Sequence, residues 1–267
     1  MRLLIHKNYE NLCRWTADYI IKRINNFSPS PEKHFVLGLP SGSTPIGVYR
    51  NLIAAFKEGK VSFSSVTSFN MDEYLGLSAD HPQSYRRYTN DNFFNSVDIL
   101  PENTYIPDGM AADPEKECRA YEDAIKAAGG IELLMGGIGV NGHVAFNEPG
   151  SSLISRTRVE ILSQETRVVN SRFFNGEINK VPDRAYTIGI STIMEAREVL
   201  IIISGHNKAR ALQAVVEGGV SHWCPLSSLQ MHPSAIIVCD EDAAEELKYG
   251  TVLYFKNIER HEIENLN

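Results

Sequence analysis

The chain has 267 residues, 43% hydrophobic and 22% charged, with 26 Lys and Arg against 33 Asp and Glu for a formal net charge of −7. This length and mixture exclude a disordered chain and allow a substantial buried core. With an acidic balance and no Lys/Arg run, a nucleic-acid backbone is excluded as partner, so any anionic ligand must be small and met locally.

Cys13, Cys118, Cys224 and Cys239 show no C-x-x-C spacing, so free thiols are expected rather than a zinc ribbon or redox dithiol, and no metal site is signalled. The N-terminal MRLLIHKNYENLCRW lacks a signal-peptide core, and no apolar run reaches the roughly 18 residues of a membrane span. A cytoplasmic protein with no membrane partner is expected.

Short Val- and Ile-rich runs alternate with longer amphipathic segments, the pattern of βαβ units building a mostly parallel sheet. Strands are predicted at Leu3–His6, His34–Leu39, Val66–Phe69, Ile131–Met135, Ala185–Ile190, Val199–Ser204 and Ala235–Cys239. The runs FVLGL and VLIIIS do not alternate with polar residues, which suits strands covered by helices on both faces. Leu12, Trp15, Tyr19 and Ile20 recur at helical spacing, as do Val48, Leu52, Ile53 and Phe56, and Asp113-Pro114 reads as an N-cap opening a helix. With no repeat or linker, residues 1–267 read as one continuous α/β domain.

Three segments break the pattern just after predicted strands: Pro40–Pro45, Asn70–Tyr74 and Gly136–Ser155. In open α/β sheets the ligand crevice lies beyond the carboxyl ends of the strands, so these segments could converge. In the first, Ser41, Gly42, Ser43 and Thr44 offer hydroxyls and backbone N–H groups before a helix N-terminus, a setting that suits phosphate as well as it suits a plain capped turn. In the second, Asp72 could act as a general base if partial burial tunes it, or could merely cap a helix with Glu73 as a solvated neighbour. In the third, His143 sits among Gly136, Gly137, Gly139 and Gly142, with Asn141 and Glu148 near enough in sequence to orient a proton-transferring imidazole. Arg172 in NSRFF and Lys208 in GHNKARAL are the cations assigned to the anion.

Taken together, GLPSGSTP, SFNMDEY, GGIGVNGHVAFNEPGSSLISRTR, NSRFF and IVCDEDAAEELKYGTVLYF resemble the glucosamine-6-phosphate deaminase family in register over nearly the whole chain. The resemblance implies an open Rossmann-like sheet, assembly as a homo-hexamer, and conversion of glucosamine 6-phosphate and water to fructose 6-phosphate and ammonia with no cofactor. It implies that His143, supported by Asn141 and Glu148, opens the sugar ring and that Asp72 moves a proton from C2 to C1. It further implies that Ser41 to Thr44, Arg172 and Lys208 hold the phosphate. Two other readings stand beside it: a lactone hydrolase of 6-phosphogluconolactonase type, disfavoured by FNMDEY, and a sugar-phosphate-binding regulator that has lost catalysis.

Two positions depart from the family pattern. Asn141 replaces the usual Asp of G-x-x-D-G-H, and an amide can neither fix a histidine tautomer nor stabilise an imidazolium as fully as a carboxylate. In serine proteases the analogous change costs about 10⁴-fold in kcat, but sugar rings also open spontaneously, so a smaller loss is expected. The Asn141-Gly142 pair also invites deamidation to the expected Asp. Some family members bind N-acetylglucosamine 6-phosphate as an activator, and this chain matches at Ser151, Arg158 and Tyr254 but carries Glu160 where they have lysine. Repulsion of the phosphate there predicts weak or absent activation. Trp223 and Cys224 are expected to pack rather than to bind.

Overall fold

The structure is a computed structural model that describes residues 1–264. In chain order it runs β1 (Arg2–His6), α1 (Tyr9–Phe27), β2 (Phe35–Leu39), α2 (Ile46–Lys57), β3 (Val66–Asn70), β4 (Asp72–Tyr74), α3 (Tyr85–Asn92), β5 (Thr104–Tyr105) and α4 (Pro114–Ala127). There follow β6 (Leu133–Gly136), β7 (Arg158–Ile161), α5 (Gln164–Asn170), β8 (Arg184–Thr187), α6 (Ile190–Met194), β9 (Val199–Ile203), α7 (Ala209–Glu217), β10 (Ala235–Asp240), α8 (Tyr249–Ile258) and α9 (Arg260–Glu264).

Seven strands form one sheet in the order β1-β10-β9-β6-β2-β3-β5, every neighbouring pair parallel. Because side chains alternate across a strand, each strand feeds two core layers. Leu3, Ile5, Val36, Leu134, Ile201 and Ile237 pack on the face that holds α4, α6 and α7. Leu4, Leu37, Leu133, Leu200 and Ile236 pack on the opposite face, under α1 and α2. Burial on both sides explains why FVLGL and VLIIIS lack polar alternation.

Local signals set the helix ends. Asn8 Oδ1 accepts the Asn11 N–H at 2.9 Å to open α1, which closes on Ser28 in the left-handed region. Asp113 accepts the Lys116 N–H at 3.0 Å ahead of Pro114, as the sequence predicts. No described helix is long and apolar enough to cross a membrane.

Two expectations need correction. The segment Ala185–Ile190 is not a strand of the main sheet: β8 ends at Thr187 and lies between β4 and β7 in a separate three-stranded antiparallel sheet, while α6 starts at Ile190. An apolar run predicts burial in a sheet but not which sheet. Likewise Asn70–Tyr74 is not a loop throughout, because Asp72, Glu73 and Tyr74 form β4, paired with Thr187, Tyr186 and Ala185. Three residues are too few to show a period.

Candidate active site

Strand order reverses between β2 and β6: the chain proceeds from β2 to β3 and β5 on one side, and from β6 to β9 and β10 on the other. A crevice opens beyond the carboxyl ends of strands at such a switch point. Here it is a cavity of about 510 Å³, and its walls include Ser41, Gly42, Ser43, Thr44, Asp72, Asn141, His143, Arg172 and Lys208. The three sequence segments therefore converge, as their positions after β2, β3 and β6 lead one to expect.

The loop from Pro40 to Pro45 turns through Gly42, whose φ of 97° lies where side chains strain the backbone. Pro45 occupies the N-cap position of α2 with no side-chain cap bond, so the simple capped-turn reading fails. Three tyrosine hydroxyls brace this loop instead. Tyr9 donates to Thr44 O at 2.8 Å and accepts the Gly47 N–H at 2.9 Å, Tyr49 donates to Pro40 O, and Tyr88 donates to Gly42 O. They come from α1, α2 and α3, and no local motif marks them.

Lys208 sits at the N-cap of α7, where burial first and Arg172 second push its ammonium down to about 8. The Arg172 guanidinium stacks on Phe173 at 4.6 Å from the ring centre. A buried ammonium facing a second cation across one cavity is a setting that favours an anion.

Asp72 ends up 7% exposed because β4 carries it into the second sheet beside the cavity. Burial, then the neighbouring Glu73 charge, push its carboxyl up to about 7, against a weak pull downward from Ser41 Oγ at 3.4 Å. Glu73 is not the solvated neighbour of the sequence reading: it is 2% exposed and accepts the N–H groups of Tyr74, Tyr85 and Arg86 at 2.7, 3.0 and 2.9 Å.

His143 packs directly on Gly139, where an added Cβ would collide with the imidazole. Its Nδ1 lies 2.7 Å from Asn141 Oδ1, and Asn141 Nδ2 donates to Glu148 Oε2 at 3.1 Å. A carboxylate only accepts, so it draws the amide NH₂ and turns the amide oxygen toward His143. Nδ1 then carries the proton, and Nε2 is left as the acceptor. Burial holds this imidazole below its ordinary value, with Lys208 acting the same way and Glu148 opposing. Glu148 does not line the cavity; it stands behind His143, 3.7 Å from Nδ1, and accepts from Thr166 Oγ1 and Ser163 Oγ. The expected deamidation is opposed, since both ends of the Asn141 amide are bonded and the Gly142 N–H is held by Gly139 O at 3.1 Å.

Ser151, Arg158 and Glu160 also come together: Arg158 donates to Ser151 Oγ at 3.0 Å and to Asn147 Oδ1 at 2.8 Å, and pairs with Glu160 at 2.5 Å. Tyr254 lies instead on α8, lining a separate depression with Glu217 and Lys248. Trp223 does not pack as expected, being 70% exposed, whereas Cys224 lies against Gly142 and the core.

The family model described as glucosamine-6-phosphate isomerases/6-phosphogluconolactonase matches residues 7–238. The chain is 56% identical over 263 residues to a glucosamine-6-phosphate deaminase of Porphyromonas gingivalis, covering 98% of this chain and 100% of that one. Against a glucosamine-6-phosphate deaminase of Treponema denticola it is 57% identical over 264 residues, 99% and 98% of the two chains. Among solved structures it matches a monomeric glucosamine-6-phosphate deaminase at TM-score 0.88 and 41% identity, covering 92% of this chain and 100% of that one. A 6-phosphogluconolactonase from Trypanosoma brucei matches at TM-score 0.72 and 19% identity over 92% and 98%, a likeness of fold.

Proposed function

The chain belongs to the family of glucosamine-6-phosphate isomerases and 6-phosphogluconolactonases, and we propose that within it the protein converts glucosamine 6-phosphate and water to fructose 6-phosphate and ammonia. One observation carries this reading above the lactonase and regulator alternatives. A buried carboxyl poised near 7, Asp72, opens onto the same cavity as His143, Arg172 and Lys208. Lactone hydrolysis breaks no C–H bond and so needs no base dedicated to a C2 proton, and a binder has no use for the unfavourable burial of such a group.

In the proposed sequence, His143 Nε2 takes the proton of the anomeric hydroxyl and delivers it to the ring oxygen, opening the pyranose to the aldehyde. The aldehyde acidifies the C2 proton, which the Asp72 carboxylate removes and returns to C1, while O1 gains one proton and the C2 amine gives one up. The product is a C2 imine, which water hydrolyses to the ketone and ammonia. Arg172, Lys208 and the Ser41–Thr44 loop hold the phosphate, remote from the bonds that change, so its binding energy positions the sugar. Release of ammonia and fructose 6-phosphate from glucosamine 6-phosphate tests the reading, and 6-phosphogluconolactone hydrolysis without ammonia release would overturn it.

The same reading extends to assembly as a homo-hexamer in the cytoplasm. Tyr249, Leu253, Tyr254 and Ile258 stand exposed on α8, an apolar surface that self-association would cover, and all four cysteines are free thiols. Light scattering of the purified chain decides between a hexamer and a monomer like the solved relative.

A further inference from the structure

Glu73 takes no part in the reaction above, yet three backbone N–H groups converge on its buried carboxylate. Two of them, from Tyr85 and Arg86, are the first two of α3, and the third residue, Arg87, donates instead to Ser84 Oγ at 3.0 Å. The opening N–H groups of this helix are thus satisfied from outside it. An eight-residue helix reading YRRYTNDN, with Thr89 as its buried residue, is too short and polar to hold itself in place. Its cap decides where it sits. Tyr85 and Tyr88, three apart on one face, both reach the cavity wall, and the Tyr88 hydroxyl grips Gly42 of the anion loop.

We propose that Glu73 is a positioning residue for the isomerisation: its carboxylate seats α3, and with it Tyr85 and Tyr88, against the cavity, and sets a negative charge beside the Asp72 base. The proposal rests on the deaminase reading and deepens it.

The groups facing Asp72 support it. The hydroxyls of Tyr49 on α2, Tyr85 on α3 and Tyr121 on α4 are pushed well above their ordinary value by burial, and that of Tyr74 on β4 to about 12, so all stay uncharged near neutrality. The Arg86 guanidinium faces Glu73 and bonds to Thr104 O and Oγ1 at 2.9 to 3.2 Å. Burial pushes the Glu73 carboxyl itself up, and the N–H groups of Tyr85, Arg86 and Tyr74 and the Arg86 charge oppose that rise by favouring its ionised form. Ionised, Glu73 contributes charge at Asp72, second to burial itself, and that charge strengthens the base.

The test is the pH profile of kcat/KM for ammonia release by wild type, Glu73→Gln, Ser84→Ala and Arg86→Gln. Glu73→Gln is expected to move the acidic limb down by about half a pH unit, so that near pH 6 its kcat/KM keeps about threefold more of its plateau value than wild type does. Its plateau kcat is expected to fall about twofold, as a weaker base would give. Ser84→Ala, which loosens the α3 cap and leaves the charge, is expected to raise KM with the limb unmoved. Arg86→Gln, which leaves Glu73 less neutralised, is expected to move the limb up, and reads the same charge should Glu73→Gln not fold. A limb fixed at the wild-type pH in both charge variants, or moved equally by Ser84→Ala, overturns the proposal. Wild type without ammonia release overturns the deaminase reading instead.

Discussion

His143 Nδ1 lies 2.7 Å from Asn141 Oδ1, while the other end of that amide donates to Glu148 at 3.1 Å. The amide thus does half of what a carboxylate there would do: it fixes the imidazole tautomer, and it passes on Glu148's orientation without adding charge. Asn141→Asp would put two carboxyls at hydrogen-bond distance, one of which must hold a proton until the pH is raised. Turnover of the cyclic substrate is therefore expected to rise severalfold at about pH 8 and less at about pH 6. Equal steady-state rates for the two proteins at both pH values would falsify this.

The pH dependence follows from two groups of opposite sign. In the proposed reaction Asp72 is ionised to act as base, so kcat/KM is expected to fall as pH drops through about 7. In the same proposal Lys208 is protonated to hold the phosphate, so kcat/KM is expected to fall again as pH rises through about 8. The profile should be a narrow bell. A bound phosphate dianion restores the Lys208 charge, so in kcat the alkaline limb is expected at higher pH than in kcat/KM.

Lys208→Met should remove that alkaline limb and raise KM about tenfold to a hundredfold, with a smaller change in kcat. Arg172→Met is expected to raise KM similarly but to keep the limb, shifted up, because Lys208 loses the neighbouring cation that depresses it. Direct binding of inorganic phosphate, measured by calorimetry, reads the same loss without turnover.

Burying the Asp72 carboxyl costs stability. Its folded pKa lies above the unfolded value of 3.8, so the fold binds its proton more tightly than the unfolded chain does. The carboxyl is neutral to stability below about 4, destabilises progressively up to about 7, and destabilises fully above that. Asp72→Asn should abolish isomerisation yet stabilise the fold by about 1–3 kcal/mol above pH ~7, with little gain near pH ~4, read from urea unfolding at both pH values.

The Arg158 guanidinium is already met by Glu160 at 2.5 Å, which leaves it no net charge to offer a phosphate. N-acetylglucosamine 6-phosphate is expected to leave the substrate-saturation curve unchanged. Glu160→Lys removes the internal partner and should restore a response. Sigmoidal wild-type kinetics turned hyperbolic by that effector would show the expectation wrong.

Much of this protein was legible in one dimension. Unbroken runs such as VLIIIS announce a sheet covered on both faces, and the Gly-dense stretch around His143 announces backbone that must bend under a functional side chain. Both are local consequences of side-chain alternation and of sterics, which sequence spacing encodes. The tertiary structure decided what no spacing encodes. It put β4, β7 and β8 into a second sheet, braced the anion loop with Tyr9, Tyr49 and Tyr88, and turned Glu73 from a solvated neighbour into the cap of α3. It also set the direction of the Asn141 amide, which Glu148 dictates from seven residues away. Each of these is a contact that sequence spacing does not mark, fixed by burial and by the need to pair buried polar groups, and such needs leave no periodic trace in the chain.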